Sequence, residues 1–162
     1  MPAIISIVGH SKSGKTTFLE KLIPELKRRG YRVATIKHTQ HIDFGNPDKD
    51  SERHLKAGSQ ATAISSHDRL AFIKKLDREA TLDEIVPLFG NDYDIILAEG
   101  FKQGNAPKIE VHRKESGPLL TNLKKLVAIA TNEPLDTKIR QFSLDDIKGI
   151  ADFLEKEFIK AN

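Results

Sequence analysis

Cysteine is absent from this chain of 162 residues, and so is tryptophan. Without cysteine there is no disulfide, no thiolate nucleophile and no cysteine-ligated metal, and a cytoplasmic location fits best. Without tryptophan, and with aromatics at only 6% of residues, there is no aromatic-rich basic patch on which bases could stack. Charge of one sign is not in excess either: 26 basic against 23 acidic residues leave +3. The runs Lys27-Arg28-Arg29, Lys74-Lys75 and Lys124-Lys125 are short and scattered, as at solvated helix ends and turns, so no nucleic-acid partner is expected. No apolar run approaches the roughly 20 residues that span a bilayer, so no membrane partner is expected. Met1-Pro2-Ala3 has no basic stretch and only a short apolar run behind it, which argues against a secretory signal. Repeats, low-complexity segments and linkers are missing as well. The remainder, 38% hydrophobic and 30% charged, is the composition of a soluble globular protein. The length suits one domain over residues 1–162.

What the chain does have is Gly9-His10-Ser11-Lys12-Ser13-Gly14-Lys15-Thr16, which matches the phosphate-loop pattern G-x-x-x-x-G-K-[ST] at every fixed position. An apolar run, Ile4-Ile5-Ser6-Ile7-Val8, precedes it and a helix-like stretch, residues 16–29, follows it. Gly9 lets the chain leave a buried strand in a tight turn, and Gly14 lets backbone N–H groups approach phosphate oxygens. The helix start adds free N–H donors and the positive end of a dipole. Lys15 brings a full charge to the outer phosphates, and the Thr16 hydroxyl is a ligand for Mg²⁺. The phosphate-binding set is therefore Gly9, Ser11, Lys12, Ser13, Gly14, Lys15, Thr16 and Thr17.

Phe18, Leu19, Leu22, Ile23 and Leu26 give the first helix one apolar face, Pro24 is expected to bend or weaken one turn, and Gly30 ends it. Residues 32–36 read as a second strand, so residues 4–36 form a βαβ crossover and imply a parallel sheet. Residues 38–50 read as a loop, and Asp50 or Ser51 caps a short helix stopped by Gly58. Strands are expected at 61–65 and 69–75, and Thr81 caps a helix to about Phe89. Asp94-Ile95-Ile96-Leu97-Ala98 reads as a central strand buried on both faces. Ile109 and Val111 alternate with Glu110 and His112, as in a half-covered or edge strand, which makes Lys108 to Arg113 a candidate dimer surface. Residues 126–130 are a further buried strand, and Ser143 caps a last helix. Alternating elements of this kind predict a three-layer α/β/α fold with a mainly parallel sheet.

In such a sheet the ligand lies beyond the carboxyl ends of the strands. Glu99 follows the 94–98 strand and is the acidic partner of Thr16 for Mg²⁺, although the usual residue there is an Asp two positions earlier, where Leu97 stands. Lys37 and His38 end the second strand, within reach of a nucleotide's outer phosphates or of a partner's ligand. Asn132 and Asp136 follow the 126–130 strand, where a guanine-reading loop uses Asn and Asp, but the usual N-K-x-D spacing is absent. His38, His41, Asp43, Asp48 and Asp50 form a weak metal pattern, because H-x-x-H on a loop without a second fixed pair is common in polar loops. No Gln is placed to orient water and no arginine stands as a finger; Gln103 and Arg113 are the substitutes the sequence offers. Lys15, Thr16 and Glu99 thus suffice to bind a nucleotide with Mg²⁺ but not to hydrolyse it quickly.

Taken together, these segments resemble the MobB family of GTP-binding adaptor proteins. The resemblance spans nearly the whole chain: residues 9–17, Lys37-His38-Thr39 with His41, Lys49-Asp50-Ser51, Ala57-Gly58, Glu99-Gly100-Phe101-Lys102 and the turn at 131–135. The Lys-His-Thr and Glu-Gly-Phe-Lys pair is far more specific than the phosphate loop. One departure is Pro47-Asp48-Lys49-Asp50-Ser51, where family members commonly have Gly in place of Asp48. The resemblance implies GTP and Mg²⁺ as cofactors, weak GTP hydrolysis, a homodimer, and contact with the guanylyltransferase that attaches a guanine nucleotide to molybdopterin in molybdenum cofactor biosynthesis. Two other functions share the phosphate loop: a small kinase, which would carry a lid of clustered arginines where only Arg53, Arg69, Arg78 and Arg113 stand singly, and a metal-delivery GTPase.

Overall fold

The structure is a computed structural model, and it describes residues 1–42 and 49–160. In chain order the elements are β1 (Ala3–Val8), α1 (Lys15–Arg28), β2 (Val33–Lys37), α2 (Lys49–Lys56), β3 (Ala61–Ser65), β4 (Leu70–Lys74), α3 (Leu82–Ile85) running into a 3-10 turn (Val86–Phe89), β5 (Ile95–Glu99), β6 (Lys108–His112), a 3-10 turn (Lys114–Ser116), β7 (Leu126–Thr131), β8 (Arg140–Ser143), and α4 (Ile147–Leu154) continuing as a π-helical segment (Glu155–Ile159). They fall into two compact units, residues 1–39 with 81–162, and residues 40–80.

The larger unit holds a six-stranded sheet in the order β2-β5-β1-β6-β7-β8, and every neighbouring pair is parallel. α1 and α4 pack on one face through Phe18, Leu22, Leu26, Ile150 and Leu154 against Ile5, Ile7, Leu97, Ile109, Val111 and Ala128. Leu82 and Val86 cover the other face over Ala34, Ile36, Ile96 and Ala98. The three-layer α/β arrangement is therefore present. α1 runs unbroken through Pro24, whose ring lies on the exposed side. Gly30, at φ +92°, follows its end.

The β1–β2 crossover spans one strand: β5, apolar and buried from Ile95 to Ala98, lies between them and pairs with both. Two expectations are corrected. β6 is neither half-covered nor an edge but an interior strand buried along its whole length, so it is no dimer surface. Its polar side chains are accommodated because each finds a partner: Lys108 Nζ donates to the carbonyls of Gly104 (2.5 Å), Ala106 (3.0 Å) and Lys124 (3.0 Å), Glu110 Oε1 accepts from the Leu120 N–H at 2.8 Å, and His112 pairs with Glu133 at 2.9 Å. Ser143 ends β8, a strand the patterning does not reveal, and Asp146 caps α4 by accepting from the Gly149 N–H at 3.0 Å. The strands at 61–65 and 70–74 do not join the sheet; they pair with each other, antiparallel, in the smaller unit with α2. Among the described residues no helix is long and apolar enough to cross a membrane.

Candidate functional site

β1 delivers the phosphate loop at the carboxyl end of the sheet. Gly9 has φ +154°, and a Cβ there would sit 2.5 Å from the Val111 carbonyl oxygen and 2.6 Å from Ser13 Oγ, so only glycine fits. Gly14, at φ +93°, is the N-cap of α1 and offers no side-chain cap. The first N–H groups of α1 are thereby left for an anion. Lys12 holds φ +63°, a left-handed conformation in which a side chain is uncommon and which recurs at ligand-binding loops. Lys15 Nζ turns back into the loop and donates to the carbonyls of Gly9 (3.2 Å) and His10 (2.9 Å). Burial pulls its ammonium below the usual lysine range; Glu99 opposes this, while Lys102 and Lys37 add to it. Lys15, Lys37 and Lys102 thus act on one another beside the Glu99 carboxylate, an arrangement suited to a polyanion with a bound cation.

Strand register places that carboxylate. Glu99 is aligned with Ile7 of β1 and with Lys37 of β2. It lies on the same face as Leu97, one pleat further on, because side chains repeat every second residue. Leu97 is fully buried in the core under α1, whereas Glu99 stands at the strand end. The Thr16 hydroxyl donates to Glu99 Oε1 at 3.0 Å and Oε2 at 3.2 Å, and Lys37 Nζ lies 3.9 Å from Oε1. Hydroxyl and carboxylate oxygens are the hard donors that Mg²⁺ takes, so the residues present fit that ion.

The other expected residues divide. Lys37 reaches Glu99, whereas His38, one residue on and so on the opposite face, sets its ring 5.2 Å from that of Phe101. Gly100 permits this: at φ +102° a Cβ would come within 2.9 Å of His38 Cβ. Asn132 accepts from the Lys114 N–H at 2.9 Å and donates to Glu115 at 3.1 Å, tying the end of β7 to the turn after β6. Asn132, Glu133 and Pro134 form one side of a concavity at the ends of β7 and β8, with Gln141 and Ser143 on the other. Gln141 braces this loop by accepting from the Leu135 N–H (2.9 Å) and donating to its carbonyl (2.7 Å). Gln103 is exposed in the turn after β5. Of the weak metal pattern, Asp43 and Asp48 lie outside the described residues; among those described, no group of three such side chains gathers.

Two residues outside the expected phosphate-binding set also make contacts here. His10 sets its ring nitrogen 2.8 Å from the Pro118 carbonyl oxygen. Arg113, directly after β6, folds its side chain onto the phosphate loop: Nε donates to the Ser13 carbonyl at 3.2 Å. The sequence offers Arg113 only as a substitute finger; its place at the carboxyl end of an interior β6 is what sets it against the loop.

The family model described as MobB, molybdopterin guanine dinucleotide synthesis protein B, matches residues 4–132. The molybdopterin-guanine dinucleotide biosynthesis adapter protein of Haemophilus influenzae is 40% identical over 155 residues, covering 94% of this chain and 87% of that protein. Its namesake in Escherichia coli is 35% identical over 169 residues, covering 100% and 97%. The crystal structure of a MobB homolog from Bacillus stearothermophilus superposes with a TM-score of 0.75 at 28% identity, covering 98% of this chain and 99% of that one. With its phosphate loop, its parallel sheet and relatives matched along nearly their full length, the chain belongs to the MobB family.

Proposed function

We propose that this chain binds GTP with Mg²⁺ and acts in the cytoplasm as an adapter in molybdopterin-guanine dinucleotide biosynthesis, supporting the guanylyltransferase that attaches the guanine nucleotide. The observation that carries the nucleotide part is the Thr16–Glu99 pair at 3.0 Å beside Lys15. Thr16 and Glu99 would hold the Mg²⁺, which offsets phosphate charge when bound. Lys15 and the N–H groups starting α1 would hold the phosphates, with Lys37 at the edge. The concavity lined by Asn132, Glu133 and Ser143 is the candidate seat of the base. Hydrolysis is slow in this reading, because Arg113 follows β6, on the opposite side of β1 from Glu99, and Gln103 sits in an exposed turn. The names of the relatives supply the adapter part.

The reading includes a homodimer. Its support lies in the smaller unit, whose hairpin aligns Phe72 with Ala63 and Leu70 with Ser65 on one face, leaving Leu70 74% and Phe72 60% exposed. A two-stranded hairpin is marginal by itself, and a second copy would cover that face.

The adapter role is tested by adding the protein to guanylyltransferase, molybdopterin, GTP and Mg²⁺. The yield of dinucleotide cofactor is expected to rise with wild type and not with Lys15→Ala. Equal yields with and without the protein would overturn it.

A further inference from the structure

The two strands flanking β1 bring different chemistry to the phosphate loop. β5 lies on one side and supplies Glu99; β6 lies on the other and supplies Arg113. Beyond β6 comes β7, with the loop begun by Asn132. A nucleotide whose Mg²⁺-bearing outer phosphates lie at Thr16 and Glu99 and whose base lies at the β7 end must pass Arg113 on the way.

Arg113 is held for such a contact. Its Nε donates to the Ser13 carbonyl. Its guanidinium lies flush on Gly14, with Nε, Nη2 and Cζ at 3.1, 3.5 and 3.8 Å from where a Cβ would stand, so a larger residue at position 14 would displace it. The turn carrying it is fixed from below by Asn132, which accepts from the Lys114 N–H. Only the Nε donor is used; the terminal N–H groups have no hydrogen-bond partner, and the guanidinium no ion pair, among the described residues. Glu115 is the carboxylate it acts on through space. A rigid, always-charged fork with free donors is the group that recognises a phosphate oxygen.

We propose that Arg113 is a nucleotide-contacting residue that binds the α-phosphate end of the nucleotide, on the opposite side of the phosphate loop from the Mg²⁺ ligands. Asn132 is then a positioning residue for Arg113. The proposal rests on the nucleotide-binding reading above, and the test separates the two.

Binding of GDP with Mg²⁺ and of inorganic orthophosphate is measured on wild type, Arg113→Ala and Arg113→Gln, the last keeping an N–H group for the Ser13 carbonyl. A single orthophosphate fills the loop and leaves the α-phosphate position empty. The expected result is that both variants lose about tenfold or more in GDP affinity, the scale of a charged hydrogen bond, and hold orthophosphate as wild type does. Equal losses for both ligands would show that Arg113 only supports the loop, and unchanged GDP affinity would show no contact; either overturns the proposal. Wild-type protein that binds neither GDP nor GTP would instead overturn the nucleotide-binding reading itself.

Discussion

The hydroxyl of Thr16 donates to both carboxylate oxygens of Glu99, at 3.0 and 3.2 Å, joining residues 83 positions apart in sequence. The pairing puts a metal-binding oxygen set at the start of α1, against the lysines of the loop. Replacing Glu99 by Gln keeps an oxygen for Thr16 and removes the charge. Glu99→Gln is therefore expected to weaken GTP binding in the presence of Mg²⁺ by about tenfold or more, the scale of one charged contact, and to change Mg²⁺-free binding much less. Titrations with and without the metal check this; equal losses would count against the metal role.

Lys15 makes its hydrogen bonds to the carbonyls of Gly9 and His10, inside the loop itself. It therefore contributes to the ligand site more than to the core. Lys15→Ala is expected to reduce nucleotide affinity by at least roughly tenfold while leaving unfolding free energy within about 0.5 kcal/mol of wild type. Denaturation and binding measured on one preparation decide it. Unfolded variant protein, or wild-type affinity, would contradict the assignment.

Much of this site was legible because its constraints are local. Gly9 and Gly14 occupy backbone conformations and close contacts that a side chain does not fit, and they stand at fixed spacing between an apolar strand and an apolar-faced helix. Glu99 was legible as the first charge after the apolar strand residues. What was not legible depends on partners far along the chain. Lys108, Glu110 and His112 look like the polar half of an alternating strand, yet they are buried, satisfied by Lys124, Leu120 and Glu133. With β6 read as half-covered, Arg113 stood only as a substitute for an arginine finger and not as a neighbour of the phosphate loop. β8 escaped because it is four residues long and begins Arg140-Gln141. The role of Asn132 escaped because the N–H it accepts from belongs to Lys114, 18 residues away.

Glu110 gives a prediction in pH. It is 1% exposed and its Oε2 has no partner. Burial pushes its carboxyl above the usual glutamate range, against the Leu120 N–H and the charges of His112, His10 and Lys102. With the folded value raised, the unfolded chain releases this proton first as pH rises, so stability is full below the ordinary value and is lost as pH rises through the folded one. Glu110→Gln does not titrate there. Its stability relative to wild type is expected to increase between about pH 4 and pH 7, measured by chemical denaturation across that range. A difference that stays flat or shrinks would contradict the raised value.

The uncovered hairpin face gives another. Phe72→Glu places a charge where a second copy is expected to pack. Sedimentation equilibrium is expected to show a dimer for wild type and a monomer for the variant, with nucleotide affinity retained. A wild-type monomer would refute the dimer, and a variant dimer would refute this face as its surface.

Calorimetric titration of the protein with GTP, GDP and ATP, each with and without Mg²⁺, decides whether the phosphate loop serves a guanine nucleotide. Mg²⁺-dependent binding with GTP preferred over ATP is expected. Preference for ATP, or indifference between the bases, would contradict it and favour a small phosphoryl-transfer enzyme instead.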